Sequence, residues 1–293
     1  MTTAEKESEI KNTDNNTIHA ASPHLSDAPI GVFDSGVGGL TVAREIMRQA
    51  PEESLVYFGD TARVPYGSKS RDTILRYVRQ IVRFLETKEV KAIVIACNTA
   101  SAYTLETIEK EVDVPVIGVI KPGAKTAAES TVNGRIGVIA TEATISSGLY
   151  PKFIRSLNPK LKVFSKACPL FCPLVEEGLT HDFVTEEIAR RYLADLQQKD
   201  IDTLILGCTH YPLLRSMLSR IMGVEVQLVN PAYETAIGLK HLLAENHLNA
   251  QKLDVDPVHE FYVSDGAEKF KIFANSILPY DIKTTHVINI EEY

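Results

Sequence analysis

Two stretches of this chain follow one plan. Residues 90–99 read Val-Lys-Ala-Ile-Val-Ile-Ala-Cys-Asn-Thr, and residues 201–210 read Ile-Asp-Thr-Leu-Ile-Leu-Gly-Cys-Thr-His. Each is a β-rich apolar run that ends in a small residue, a cysteine and hydrogen-bonding side chains, and a helical pattern follows. A strand that is apolar on both faces needs cover on both sides of its sheet, which parallel strands joined by helices provide. The duplication therefore constrains the chain to two α/β halves of similar build, each with a thiol at a strand-to-helix corner.

The remaining sequence fits that alternation. Ile30–Phe33 and Ser54–Gly59 are short β-type runs; Gly39 is followed by a helical stretch to about Gln49. Ser70 is placed to cap a helix that carries Ile74, Tyr77, Val78, Ile81 and Leu85 at helical spacing. Strand 91–96, helix 100–111 and strand 115–119 follow. The pattern restarts with strand 135–140, a helix capped by Thr185, strand 202–207 and helix 211–222. Strand 224–229, a helix over 233–246 and strand 260–264 complete it. Strands alternating with long helices predict parallel sheets in two flavodoxin-like α/β domains. The expected first domain is 29–122 plus 231–293 and the second is 123–230, with linkers at Lys121-Pro122-Gly123 and Asn230-Pro231. Ligands of open α/β sheets bind beyond the carboxyl ends of strands. Both cysteines sit at such ends, so two facing ends would enclose one small substrate in a cleft.

Bulk properties exclude several classes. The 293 residues carry a formal net charge of −7, opposite in sign to a nucleic-acid footprint. The longest apolar runs are of strand length and cannot cross a bilayer. Four cysteines are too few for a disulfide scaffold in a chain of this size, and free thiols suit the reducing cytoplasm. Residues 1–28 hold Glu5, Glu7, Glu9 and Asp14 among Thr and Asn, with no apolar core. They read as a disordered extension and not as a signal peptide.

The cysteines carry the chemistry. A helix N-terminus lowers a thiol pKa, so Cys97 and Cys208 are expected to exchange protons near neutral pH. Two thiols on opposite sides of a carbon would invert a stereocentre without a cofactor. Neither has a neighbouring Cys at redox spacing. Cys168 and Cys172 lie in Cys-Pro-Leu-Phe-Cys-Pro; their spacing with His181 is poor for zinc, and packing is the expected role. Asp34 is placed to bind an ammonium group or assist a thiol, and Ser35 to bind a carboxylate. The Gly-x-Gly-Gly that follows lacks the lysine and spacing of a phosphate loop, and reads otherwise as a turn with positive φ. Pro65-Tyr66-Gly67 reads as a turn or a binding loop. His210 is a partner for the thiol two residues before it.

Together, Val-Phe-Asp-Ser-Gly-Val-Gly-Gly-Leu (32–40), Val-Pro-Tyr-Gly (64–67), Ala-Cys-Asn-Thr-Ala-Ser (96–101) and Leu-Gly-Cys-Thr-His-Tyr-Pro-Leu (206–213) resemble the glutamate racemases of the aspartate/glutamate racemase superfamily. The resemblance runs in order from about residue 30 to 245. It implies that Cys97 serves D-glutamate and Cys208 L-glutamate, with Asp34 and His210 assisting. It implies that Ser35, Pro65, Tyr66, Gly67, Asn98, Thr99 and Thr209 bind substrate, joined by Thr141 beside Thr144, and it places Glu176 near the second thiol. It further implies no cofactor, no metal, a homodimer and a D-glutamate product used in bacterial peptidoglycan synthesis.

Overall fold

In a computed structural model, residues 26–251 and 256–293 are described. The expectation for residues 1–28 therefore lies outside the described residues up to position 25. The strands form two sheets, and every pairing is parallel. The first sheet contains β1 (Ile30–Asp34), β2 (Leu55–Gly59), β3 (Ala92–Ile95), β4 (Val116–Gly118), β9 (His259–Val263) and β10 (His286–Val287), in the order β10-β9-β2-β1-β3-β4. The second holds β5 (Arg135–Ala140), β6 (Lys162–Ala167), β7 (Thr203–Gly207) and β8 (Gln227–Val229), in the order β6-β5-β7-β8. Both sheets thus repeat one order: second, first, third, fourth. The order reverses beside the first strand of each, and a crevice opens there at the carboxyl ends.

Helices α1 (Leu40–Gln49), α2 (Arg71–Glu86), α3 (Asn98–Ile108) and α4 (Ile120–Ser130) precede the second sheet. Within it come α5 (Glu142–Ser146), α6 (Leu149–Leu157), α7 (Phe171–Glu176), α8 (Phe183–Gln197) and α9 (Arg215–Met222). The chain then continues through α10 (Pro231–Glu245) and α11 (Ala267–Ile277).

Strand alternation sorts the first core into two layers. Ile30, Val32 and Val94 join Ile46 of α1 and Leu239 of α10 on one face. Phe33, Ile93 and Ile95 join Ile74, Val78, Ile81 and Leu85 of α2 on the other. Each of those four α2 side chains contributes roughly 1.5–3 kcal/mol through burial. Ser70 caps α2 as expected, its hydroxyl accepting from Thr73 N–H at 3.4 Å.

Several local expectations are corrected. Thr185 does not cap α8; Asp182 does, accepting from Val184 N–H at 2.8 Å, while the Thr185 hydroxyl donates to the Leu179 carbonyl from inside the helix. The expected helix over 211–222 begins as a 3₁₀ turn, Tyr211–Leu214, with Pro212 in its first turn, and becomes an α-helix only from Arg215. Lys121-Pro122-Gly123 is not a loop but the start of α4, where a proline is tolerated. Strand β6 and helices α4 to α7 and α11 were not anticipated. β6 is an edge strand, none of whose residues is fully buried, so it has no apolar run.

The chain crosses from the first sheet to the second at Val119 and returns at Asn230, and these passages touch. A Cβ on Gly123 would stand 2.9 Å from Pro231 Cγ, so only glycine permits this approach. Among the described residues, no helix is long and apolar enough to cross a membrane.

Candidate active site

The two switch points contribute to one cavity of about 380 Å³. Cys97 follows β3 and Cys208 follows β7, equivalent places in the two sheets, and both sulfur-bearing residues line it. Ser35, beyond β1, and Thr141, beyond β5, line it too. So do Pro65, Tyr66, Gly67, Asn98, Thr99, Glu176, Thr209 and His210. The cavity gathers every expected site residue except Asp34. That carboxyl is fully buried behind the wall; its Oδ2 accepts from Gly36 N–H at 2.9 Å. Direct substrate binding by Asp34 is therefore corrected to a position behind Ser35 and Gly36. Its second oxygen, Oδ1, is buried without a hydrogen-bond partner.

Cys97 is the N-cap of α3, and its sulfur accepts from Ala100 N–H at 3.5 Å. The thiol points to Ser35 Oγ, also at 3.5 Å. Asn98 and Thr99 occupy the first turn, whose N–H groups include those a helix leaves without intrahelical acceptors. Tyr150 donates to Asn98 Oδ1 at 2.7 Å, which leaves the amide of Asn98 as a donor. Thr99, Thr141 and Thr144 hydroxyls lie 2.9–3.1 Å from one another and join α3 to the second half. Tyr66 donates to Asp60, which also receives Arg63 at 2.8 Å and fixes the 64–67 loop.

The surroundings of Cys208 differ. It caps no α-helix, because the 3₁₀ turn intervenes before α9. Its sulfur instead lies 3.7 Å from His210 Nδ1, and His210 Nε2 lies 2.9 Å from Glu176 Oε1. A second sulfur, that of Cys172, stands 3.5 Å away. Cys172 therefore does not have the pure packing role expected for it. It sits on α7 one helical turn before Glu176, a spacing of four that places both on one face. That spacing was the available signal, and it was missed. Cys168 keeps its packing role within the second core, and His181 lines a different cavity. Glu142 at the cavity rim was also missed, since one glutamate starting a short helix carries no sequence signal.

Burial decides the resting protonation. It pushes the Cys97 thiol up to about 12, with Asp34 adding repulsion, so the expected lowering by the helix terminus is outweighed. The Cys208 thiol is also held well above its ordinary value, by the Cys172 sulfur and then by burial. Burial opposes charge on His210, but its hydrogen bonds to Cys208 and Glu176 prevail and push it up to about 10. Its hydrogen bond holds the Glu176 carboxyl low. Burial raises Asp34. The resting site thus holds two neutral thiols, one beside an imidazolium–carboxylate pair.

The glycine loop after β1 is explained by close approach. None of Gly36, Gly38 and Gly39 has positive φ, against the turn expectation. A methyl group on Gly38 would lie 2.3 Å from Thr209 Oγ1 and 2.6 Å from the His210 ring. Gly38→Ala is accordingly expected to displace His210 and to cost about 1–3 kcal/mol by overpacking. Thermal denaturation checks it; an unchanged midpoint would contradict this packing.

A two-domain α/β fold with two thiols lining one shared cavity defines the class to which comparison leads. The sequence model described as Asp/Glu/Hydantoin racemase matches residues 30–235. A glutamate racemase of Geobacter metallireducens is 46% identical over 262 residues, 89% of this chain and 97% of that protein. The crystal structure of a Bacillus anthracis glutamate racemase isoform superposes with a TM-score of 0.87 at 43% identity, covering 90% of this chain and 98% of that one. A Francisella tularensis glutamate racemase in complex with D-glutamate gives 0.85 at 39% identity, covering 92% and 100%. The chain belongs to the Asp/Glu/Hydantoin racemase family and is an amino-acid racemase, an isomerase.

Proposed function

We propose that this chain interconverts L- and D-glutamate by proton transfer through Cys97 and Cys208, using no cofactor, and that its D-glutamate supplies bacterial peptidoglycan synthesis. The observation that carries the reading is that two thiols from equivalent corners of two sheets line one cavity of substrate size. The relatives described above are named glutamate racemases, and those names supply the substrate.

The chemistry follows from the groups present. The α-proton of an amino acid is weakly acidic, so the carbanion-like state must be stabilised through the α-carboxylate. Asn98, Thr99, Ser35 and Thr209 offer amide, hydroxyl and backbone donors around the cavity, and enclosure strengthens them. Removal of the L-enantiomer's proton falls to Cys208, which first gives its own thiol proton to solvent; the His210 imidazolium stabilises the thiolate that remains. Cys97, still protonated, returns a proton from the other side. In the reverse direction Cys97 needs an acceptor for its own proton, and the unpartnered Oδ1 of buried Asp34 suits that task. We also take a homodimer to be the working form.

Incubation in heavy water with a panel of amino acids tests the proposal. Deuterium should enter the α-position of glutamate, with loss of optical rotation, much faster than that of aspartate or alanine. One methylene separates glutamate from aspartate, so the preference is set at about 1–3 kcal/mol by contacts alone. No exchange into glutamate, or faster exchange into aspartate, would reject it.

A further inference from the structure

We propose that Cys172, Cys208 and His210 form a chelating site for one thiophilic divalent cation, zinc fitting best, and that its occupation silences the second thiol. The chelate stands on geometry alone; the silencing rests on the two-thiol reading above.

The three donor atoms lie within 4.8 Å of one another. Zinc binds thiolate at about 2.3 Å and imidazole at about 2.0 Å; tetrahedral angles then require about 3.8 Å between sulfurs and about 3.5 Å from sulfur to nitrogen. The chain presents 3.5 Å between Cys172 and Cys208 and 3.7 Å between Cys208 and His210 Nδ1. Neither distance asks for more than a few tenths of an ångström of adjustment. The outer nitrogen of His210 already meets Glu176 at 2.9 Å. A carboxylate on the far side of a ligating imidazole is the usual support of a zinc-bound histidine, because it fixes ring and tautomer.

Three further features select the ion. Two sulfurs and one imidazole are soft or borderline donors that suit zinc and reject magnesium and calcium. The three ligands face the substrate cavity, which leaves the fourth position to water or to a substrate carboxylate. Cys172 is only half-buried, so the ion has a path in. Binding would release the two thiol protons and the Nδ1 proton to solvent, and no sulfur changes oxidation state. With its sulfur lone pair committed to the metal, Cys208 could not take a proton from carbon. Asp34 and Cys97, in the other half, would be untouched.

The test uses the full chain, stripped with a chelator and kept under a phosphine reductant so that a Cys172–Cys208 disulfide cannot form. Cobalt(II) is the probe. The expected result is a thiolate-to-cobalt charge-transfer band that saturates at one ion per chain and is erased by one equivalent of zinc. Glu176→Gln should weaken zinc binding by about 10–100-fold, and Cys172→Val by more. One equivalent of zinc should stop deuterium exchange into glutamate, a chelator should restore it, and Cys172→Val should keep its own metal-free rate under the same zinc. Cys172→Ser replaces the valine variant if circular dichroism shows that it has not folded. No thiolate–cobalt band in the parent chain, or unchanged zinc affinity in the Cys172 variant, would overturn the site. If the metal-free chain exchanges no deuterium, the racemase reading fails while the cobalt titration still decides the chelate.

Discussion

Cys97→Ala and Cys208→Ala are each expected to slow racemisation by about 10²–10⁴-fold, the range for removing a positioned acid or base. The two enantiomers are equal in free energy, so kcat/KM must stay equal in both directions whichever thiol is lost. Comparing the two directions therefore cannot tell which face was damaged, but isotope exchange can. In Cys97→Ala the remaining thiol serves the L-enantiomer, and deuterium should wash into L-glutamate with retention, faster than inversion. Cys208→Ala should show the mirror result with D-glutamate. Proton NMR of the recovered, chirally resolved substrate reads this directly. Full turnover in either variant, or equal wash-in to both enantiomers, would remove the assignment. Neither substitution should unfold the chain. Both thiols are 6% exposed and line the cavity, so alanine takes a sulfur from a wall.

His210→Asn is expected to cost about a hundredfold or more in turnover, because it takes away the cation beside Cys208. It also carries a stability signature whose sign is fixed. His210 is raised from 6.5 in the free side chain to about 10 in the folded chain. The folded state then binds the proton more tightly than the unfolded state does. The resulting stabilisation is complete below the unfolded value of 6.5 and is lost as pH climbs to about 10. The stability gap between the parent chain and His210→Asn should therefore shrink across that window. Urea denaturation of both chains at a series of pH values measures it. A gap that widens with rising pH would mean that His210 is neutral in the folded chain.

The framework of the fold was legible because its central strands leave little choice. The runs at 92–95 and 203–207 are buried along their whole length, and only a doubly covered parallel sheet accommodates them. The same runs pointed to both thiols. What escaped was set by contacts between distant segments. Strand β6 sits at a sheet edge with Lys162, Ser165 and Lys166 in it, so its sequence resembles a loop. Asp34 sits in a motif that looks substrate-facing, yet its carboxylate turns back to Gly36. The elevation of both thiols was also invisible, because burial is a property of the assembled cavity and outweighs the helix terminus that the sequence does reveal. Cys172 was hidden for a related reason: the sulfur it meets is 36 residues away along the chain.

The adjoining passages near Gly123 and Pro231 act as the spine of a book. Val119, Pro231, Asn98 and Cys208 share one narrow crevice, so the thiol-bearing floor lies close to this spine. The loop of Pro65 and the start of α5 meet on the other side of the cavity, where a methyl group on Gly67 would lie 3.1 Å from Thr141 Cβ. The two halves are thus clasped at both edges of the hollow, and the sulfurs on its floor take their places from both halves at once.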